Sequence, residues 1–574
     1  MLLSGLICIS LSNLFTIFPA QVVRTALDSV YDQIHNHSSE GVAQELIYFA
    51  GLVFLFALIR GIFLFWTRQS LIVLSRKIEF DQKNDLFHHF QSLNLSVLRK
   101  ISTGDLMARI SEDVSNVRMF TGPAIMYALN ALTMFICLVA TMFYVNPELT
   151  WYALLPMPVL SFSIYIVHST IHKRSDENQK QLARLSTLTQ EVFSGIRLIK
   201  AYRKEQSILN DFNNQSFIYK NKGIHLAKVD ALFYPVITLL IGLSTLIVVW
   251  LGGYQVVRGV FTLGNIAEFI IYVNLLTWPV TSLGWVTSLI QRAAASQARI
   301  DEVLALNATQ IFPATETTLV NDYSIVFEDV SLRYEDSGIL ALDSISFKIE
   351  QGSLIGIMGA TGCGKSTLAA LIPRLIDCSS GKIYIGNVPI ENLTKQQLRN
   401  LIGLVPQDVF LFSDTIFNNI AFGKPDATEK EVIQAAAFAG IYEDIMQFQN
   451  KFQTVVGERG VLLSGGQKQR ISIARAYIRK PPILILDDSL SAVDTQTEES
   501  ILKNLQFTPD YNPTVLLISH RVTSTVSAEK IIFIQQGRVV EYDSPEKLLA
   551  QKGAYAALYQ KQQIEQEFYQ HFSS

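Results

Sequence analysis

The sequence predicts a multi-domain protein, in which a six-helix α-helical transmembrane domain is fused to an α/β domain built on a phosphate-binding loop. Three observations carry this. Charged residues make up only 17% of the 574 residues, where about 25% is ordinary for a globular chain, and mean hydropathy is +0.27. The charge is unevenly spread, with long, nearly uncharged runs confined to the first half. In the second half, Gly359–Ser366 reads G-x-x-x-x-G-K-S directly after a strand-like apolar run. At roughly 100–200 residues per domain, the length allows several buried cores. The low charge and high hydropathy exclude a disordered or fibrous chain. A net charge of −3 offers no basic surplus for nucleic acid as the main partner. Cys8, Cys137, Cys363 and Cys378 are too scattered for a disulfide framework or a paired-cysteine zinc site and suit a reducing cytosolic face.

Residues 1–27 carry one charged side chain, Arg24; 46–67 carry Arg60; 121–170 carry Glu148; 231–290 carry Arg258 and Glu268. A hydrocarbon core about 30 Å thick needs about 20 apolar residues per helix. Spans are therefore predicted at about 2–23, 46–67, 124–145, 150–168, 232–252 and 265–290. Runs this long and uncharged rarely lie inside a soluble domain. Asn146-Pro147-Glu148 is a turn that joins the third and fourth spans into a hairpin. No basic region precedes the first run and no convincing small-residue cleavage site follows it, which favours a retained span over a cleaved leader. The loops 68–123 and 169–230 hold eight and eleven Lys/Arg, whereas the short loops opposite hold few. The positive-inside rule then places both long loops and both termini in the cytoplasm. Both loops are polar and helix-patterned, so the membrane helices are expected to continue far into the cytosol.

The transmembrane domain is expected to span 1–304, a linker 305–322, a soluble α/β nucleotide-binding domain, carried by the motifs that follow, 323–560 and a C-terminal tail 561–574. From Tyr323 onward, short apolar runs alternate with helical patterns: Ser324–Phe327, Leu354–Met358, Ile402–Val405, Ile483–Leu486, Val515–Ile518 and Ile531–Ile534. That alternation is the α/β signature. In the phosphate-loop motif, Gly359, Ala360, Thr361, Gly362, Cys363 and Gly364 let backbone N–H groups close around phosphate oxygens. A helix opens through Lys365, Ser366 and Thr367, with its dipole favouring the anion. Lys365 is placed to reach the β- and γ-phosphates, and the Ser366 hydroxyl to ligate Mg²⁺. Ile483–Leu486 runs into two acids. Asp487 is placed to hold the metal, directly or through water, and Asp488 to orient a water at the γ-phosphate. Alone, a strand ending in two acids is as readily a plain turn; the phosphate loop gives it weight. Ser464, Gly465, Gly466 and Gln467 open a helix and form a second anion grip. One chain with one phosphate loop does not need two grips, which suggests two subunits sharing nucleotide across an interface.

The phosphate loop, the Leu463–Gln467 run, the acid-ended strand and Ser519-His520-Arg521 resemble the ATPase domain of ABC transporters. Six spans ahead of one such domain resemble an exporter-type half-transporter, over essentially the whole chain. The resemblance implies ATP and Mg²⁺ as ligands and assigns further roles. Tyr334 is similar to the aromatic that stacks on adenine. Gln407 resembles the glutamine that senses Mg²⁺ and couples to the membrane helices. Gly457–Gly460, with Glu458, resembles the exporter loop that touches the cytoplasmic helices. Ser491–Asp494, ending in Asp494, resembles the loop that crosses between sites, and His520 the switch histidine on the γ-phosphate. Gly104-Asp105-Leu106 and Gly195–Lys200, with Arg197, resemble the coupling segments at the cytoplasmic loop tips.

One position departs from the family pattern: Asp488 stands where most members have Glu. Its carboxylate falls roughly 1–1.5 Å short, and misplacements of about 1 Å can cost on the order of 100-fold in rate. A tolerated acid-for-acid exchange is the plainer alternative. The run Asp487–Asp494 resembles the A-type subunit of bacterial multidrug-resistance-like heterodimeric exporters. The expectation is ATP-driven export of amphipathic compounds across the inner membrane, beside a second half-transporter that supplies Glu. Membrane lipids are the surrounding partner and nucleic acid is none. A lipid flippase, a homodimeric exporter and a nucleotide-gated regulator are the alternatives. Cargo is barely encoded. Arg60, Glu268 and Asn274 are intramembrane polar candidates, although the plainer readings are that Arg60 only snorkels or pairs with a neighbouring helix and that Glu268 lies near the outer interface. Phe269, Tyr272, Trp278 and Trp285 suit apolar cargo and lipid contact equally.

Overall fold

The structure, a computed structural model, describes residues 1–35, 42–306, 312–313, 320–508 and 511–572. Most of the expected linker 305–322 lies outside the described residues. The chain divides into two units, Met1–Ser92 with Ile101–Asn307, and Leu93–Lys100 with Ala308–Ser574.

The first unit holds six helices long and apolar enough to cross a membrane: Leu2–Ile34, Val42–Ser92, Thr103–Val145, Pro147–Ser194, Glu205–Val257 and Leu263–Leu304. Each contains one predicted span. The second and fifth have 51 and 53 residues, about 75–80 Å at 1.5 Å per residue, far more than a hydrocarbon core of about 30 Å needs. The helices therefore do continue beyond the apolar runs. The third helix carries two wide turns, Arg109–Asp113 and Phe120–Ala124, the latter around Pro123. Asn146 ends it and caps the fourth helix, its Oδ1 accepting from the Leu149 N–H at 3.0 Å, with Pro147 at the first helical position.

Burial sorts the intramembrane candidates. Glu268 is fully buried. It accepts from the Tyr272 hydroxyl at 2.8 Å and from Arg24 at 3.4 Å. One turn before Glu268, Asp28 accepts from the Gly264 N–H and the Thr262 hydroxyl, both at 2.9 Å. A Cβ on Gly264 would come 2.3 Å from the Arg24 carbonyl oxygen. Glu268 therefore ties the first helix to the sixth. Phe269 and Tyr272 are likewise fully buried in the helix core, so they face neither cargo nor lipid. Trp278 and Trp285 are partly exposed and pack edge-on against Tyr127. Arg60 is exposed, with no ion pair among the described residues. Glu268→Ala leaves Arg24 and the Tyr272 hydroxyl without their acceptor. A stability loss of about 1–3 kcal/mol is expected, read as a lower thermal midpoint in detergent, with Glu268→Gln losing less.

The second unit is built on two sheets. Strands β1 (Ile325–Arg333), β2 (Leu340–Ile349), β4 (Ser380–Ile385) and β5 (Val388–Pro389) form an antiparallel sheet in the order β2-β1-β4-β5. The other sheet has the order β10-β9-β3-β8-β7-β6, from β3 (Leu354–Gly359), β6 (Ile402–Val405), β7 (Ile483–Asp487), β8 (Thr514–Ile518), β9 (Lys530–Gln535) and β10 (Arg538–Asp543). All its pairs are parallel except β9 with β10. Every residue of β3, β7 and β8 is buried. Strands covered on both faces read as continuous apolar runs, and these are the strands predicted. The first predicted strand begins at Ile325 and runs on past an irregularity at Asp329 to Arg333. Between β6 and β7 lies a helical layer with its own core, including Ile416, Ile420, Val432, Ile471 and Ile473. The phosphate-loop helix packs in a different core with β1, β2 and β4. The helix Ala554–Phe572 runs through residue 561.

Candidate nucleotide-binding site

The strand order assembles the site. In the parallel sheet, β7 pairs with β8 and β8 with β3, with Asp487 opposite Ile518 and Ile357 also opposite Ile518. Gly359, Asp487–Asp488 and Ser519–His520 thus leave three adjacent strands at the same C-terminal edge, where open α/β sheets bind ligands.

Glycine is required at two loop positions. Gly359 has φ +147°, and a Cβ there would lie 2.1 Å from the Ile534 carbonyl oxygen. Gly364 has φ +107°, and its Cβ would lie 2.5 Å from the Ala341 carbonyl oxygen. Around this loop folds Lys365, only 5% exposed. Its ammonium donates to the Gly359 and Ala360 carbonyls at 2.9 Å each, with the Cys363 sulfur at 3.8 Å. No carboxylate pairs with it among the described residues.

Ser366 Oγ lies 3.1 Å from Asp487 Oδ1. Two oxygens at that separation match the roughly 3 Å cis edge of an octahedron with metal–oxygen bonds of about 2.1 Å. The pair fits Mg²⁺, which keeps most of its shell as water and phosphate. Among the described residues there is no cluster of three or more His, Cys, Asp or Glu suited to a metal held by protein alone. Burial pushes the Asp487 carboxyl above its usual range, and the neighbouring Asp488 charge adds to this. A bound cation would relieve both.

Asp488 occupies the left-handed region at φ +49°, which Asp tolerates better than most residues. Its N–H donates to the Ile518 carbonyl at 2.9 Å, and its Oδ2 lies 3.4 Å from the Gln407 amide nitrogen. The structure therefore brings Gln407 and Asp488 side by side. Tyr334 is placed with its hydroxyl 3.1 Å from Thr367 Oγ1, beside the loop. His520 is partly exposed, close enough to Asp487 to stabilise its charge.

The signature run sits on the helix Gly465–Tyr477. Ser464 Oγ accepts from the Gln467 N–H at 3.3 Å, and Gln467 Oε1 accepts from the Ser464 N–H at 3.0 Å. This reciprocal cap leaves the first-turn N–H groups of Gly465 and Gly466 free to bind an anion. A Cβ on Gly466 would come 2.6 Å from the Ala492 carbonyl. Asp494 caps the helix Thr495–Phe507, accepting from the Thr497 N–H at 2.9 Å, and that bond holds its carboxyl below the usual range. Glu458 lies exposed in the single turn Glu458–Gly460, between Gly457 at φ +74° and Arg459 at φ +50°.

Of the loop-tip residues, Gly104 and Asp105 lie in the first turn of Thr103–Ala108. The Asp105 N–H is capped by Ser102, and its carboxylate pairs with Arg109 at 2.9 Å. Gly195 separates Pro156–Ser194 from the short helix Ile196–Ala201, which carries Arg197.

Two features escaped sequence reasoning. Gln562, on the C-terminal helix, donates to the His520 carbonyl at 2.7 Å and accepts from the Val522 N–H at 2.8 Å, bracketing the histidine loop. Asp444 underpins the signature helix, accepting from Gln467 at 2.9 Å and from both terminal nitrogens of Arg470 at 2.9 and 3.2 Å. Neither contact carries a spacing signal. Gln562→Ala is expected to lower ATP turnover several-fold with little change in KM, since it frees the His520 loop without touching the phosphate loop. Steady-state kinetics check the split.

A phosphate loop at the edge of a parallel sheet, fused to six membrane helices, defines a nucleotide-driven membrane ATPase. Residues 2–280 match the family model for the ABC transporter transmembrane region, and residues 342–491 match the family model described as ABC transporter. The chain is 35% identical to a probable multidrug resistance ABC transporter ATP-binding/permease protein, YheI of Bacillus subtilis, over 96% of this chain and 93% of that protein. It is 35% identical to the multidrug resistance-like ATP-binding protein MdlA of Escherichia coli, over 95% and 92%. It shares the fold of a bacterial Atm1-family ABC exporter solved with ATP bound, at a TM-score of 0.79 and 23% identity, over 98% of both chains. The chain belongs to the ABC transporter family, as an exporter whose ATPase domain couples ATP hydrolysis to transport.

Proposed function

We infer that this chain is one half of an asymmetric heterodimeric exporter of hydrophobic or amphipathic compounds. The observation that carries it is the pairing of Asp488, in the water-orienting position, with an intact Ser464–Gln467 signature. The signature serves the nucleotide held by the partner's phosphate loop. This chain thereby completes a working site whose Glu comes from the partner, while its own Lys365, Asp487 and Asp488 form a slow one. The basic loops support a multi-pass arrangement in the inner membrane, with the ATPase domain and both termini in the cytoplasm.

The residues divide the work. Phosphate-loop N–H groups and Lys365 hold the phosphates, while Tyr334 offers its ring to adenine. Ser366 and Asp487, with Gln407 nearby, would hold Mg²⁺, which neutralises charge on the β- and γ-oxygens when bound. Asp488 and His520 address the γ-phosphate side. Two ATP molecules join the ATPase domains head to tail, and the coupling segments around Gly104–Asp105, Gly195–Arg197 and Glu458 carry the closure to the helices. Binding energy that favours one of two states is sufficient for alternating access.

The test is ATP turnover by this chain purified alone in lipid, with its oligomeric state measured in the same sample. Near-zero turnover that appears only with a co-expressed, Glu-bearing partner supports the heterodimer. Robust turnover as a homodimer overturns it and leaves the exporter standing. Stimulation of the active assembly by phospholipid or lipid A-like compounds rather than by dyes would make it a flippase.

A further inference from the structure

We propose that the groove between the fourth and sixth membrane helices binds an amphipathic anion, with its acidic head at the cytoplasmic end and its apolar body toward the bilayer. This deepens the exporter reading above, on which it rests, by naming the class of cargo. The groove encloses about 570 Å³, within the roughly 300–1,000 Å³ of small-molecule sites.

Its polarity changes in step along both walls. At one end Ile164 and Tyr165 of the fourth helix lie with Val280 and Leu283 of the sixth. At the other end Ser169, His172 and Lys173 lie with Thr287, Ser288 and Gln291. The lining residues recur at helical spacing, so each helix presents one continuous face. Both helices cross the membrane in the same direction, which brings the two polar ends to the same, cytoplasmic side. A second, apolar cavity of about 330 Å³ shares Ser161, Val280 and Leu283 and adds Leu132, Phe135 and Val286. It prolongs the apolar end.

Charge selects the occupant. Among the described residues Lys173 is the one formal charge lining the groove, and no carboxylate lines it. The acids one turn further on are already engaged, Asp176 with Lys180 at 2.7 Å and Glu177 with Arg174 at 3.2 Å. Lys173 itself has no ion pair among the described residues. An unopposed ammonium that shares this end of the groove with the His172 ring and the hydroxyls of Ser169 and Ser288 is a grip for a carboxylate, sulfonate or phosphate. An amphipathic cation would meet a like charge at this end.

The test uses the full chain in phosphatidylcholine nanodiscs, without nucleotide. The probes are 11-(dansylamino)undecanoic acid and a dansyl-alkyl-trimethylammonium of matched chain length, titrated by dansyl emission. The acid is expected to bind about tenfold or more tighter than the cation. Lys173→Glu is expected to remove that preference, Lys173→Arg to keep it, and Leu283→Trp to weaken both probes by filling the groove. Equal affinities in the wild type, or an unchanged preference in Lys173→Glu, overturns the proposal. Adding phosphatidylglycerol distinguishes the source. Displacement of the acid identifies a lipid headgroup as the natural occupant, and no displacement identifies a free amphiphile; both retain the anion. ATP turnover of the assembled transporter is measured separately. Normal turnover without anion preference sinks the groove alone, and anion preference without turnover sinks the exporter reading alone.

Discussion

Replacing Lys365 by Ala is expected to lower ATP turnover by about 100- to 10,000-fold and to weaken nucleotide binding in parallel. Hydrogen bonds to charged groups contribute about 1.5–3 kcal/mol each. Two of them, to β- and γ-phosphate oxygens, give about 3–6 kcal/mol, and each 1.4 kcal/mol or so is tenfold. The environment of Lys365 adds a second signature. Lys365 is 5% exposed, and its ammonium is satisfied by two neutral carbonyls and a sulfur rather than by a carboxylate. Desolvating an ion that lacks a counter-charge is costly. Removing the ammonium therefore relieves a burden on the folded state, so the thermal midpoint should stay level or rise while turnover collapses. Binding of a trinitrophenyl-ATP analogue and differential scanning fluorimetry on one preparation separate the two effects. Turnover within tenfold of wild type, or a collapse of stability matching the collapse of activity, would sink the assignment.

The parts of this molecule that were legible in the sequence are those where one physical demand dominates the composition. Water exclusion by the bilayer writes six nearly uncharged runs. Strands covered on both faces write Leu354–Met358, Ile483–Leu486 and Val515–Ile518 as unbroken apolar words. Phosphate binding writes glycines where a Cβ would strike a carbonyl, as at Gly359 and Gly364. Half-covered structure writes more faintly. β2 (Leu340–Ile349) is buried only at alternate stretches, so its Asp343, Ser344 and Ser346 hide it from a search for apolar runs. β4 begins with Ser380, Gly381 and Lys382, all exposed. Long-range polar ties write nothing local. Gln562 reaches back 42 residues to the His520 carbonyl, and Glu268 reaches across 244 residues to Arg24. Each looks like any Gln or Glu until the backbone brings its partner near. The aromatic residues of the sixth helix show the same limit. Composition alone left Phe269 and Tyr272 equally suited to cargo and lipid, and packing gave them to the core.

Exchanging Asp488 for Glu is expected to raise hydrolysis at this chain's own phosphate loop by about 10- to 100-fold, read as the kcat of an assembled transporter whose partner Glu has been exchanged for Gln, with little change in KM. The backbone at this position is clamped: its N–H is bound to the Ile518 carbonyl at 2.9 Å, and its carbonyl accepts from the Ser491 hydroxyl at 2.8 Å. The reach of the carboxylate is therefore set by side-chain length alone. The shorter acid already points at the Gln407 amide, at a long 3.4 Å. One more methylene carries the carboxylate about 1.5 Å further, the order of displacement that decides factors of 100 or so in rate. A gain of this origin belongs to the transition state, which is why kcat and not KM should move. Stability should move the other way. Asp488 sits at φ +49°, a region Asp visits more readily than Glu. The longer acid therefore pays in backbone strain, up to about 1–2 kcal/mol, seen as a slightly lower thermal midpoint. Faster turnover together with lower stability is a combination that a general improvement in folding cannot produce. Asp488→Asn sets the baseline, because a slow but working acid loses activity on amidation and an inert one does not. If Asp488→Glu leaves turnover unchanged while Asp488→Asn abolishes it, Asp is a sufficient catalytic residue in this site. The asymmetry of the transporter would then have to come from elsewhere.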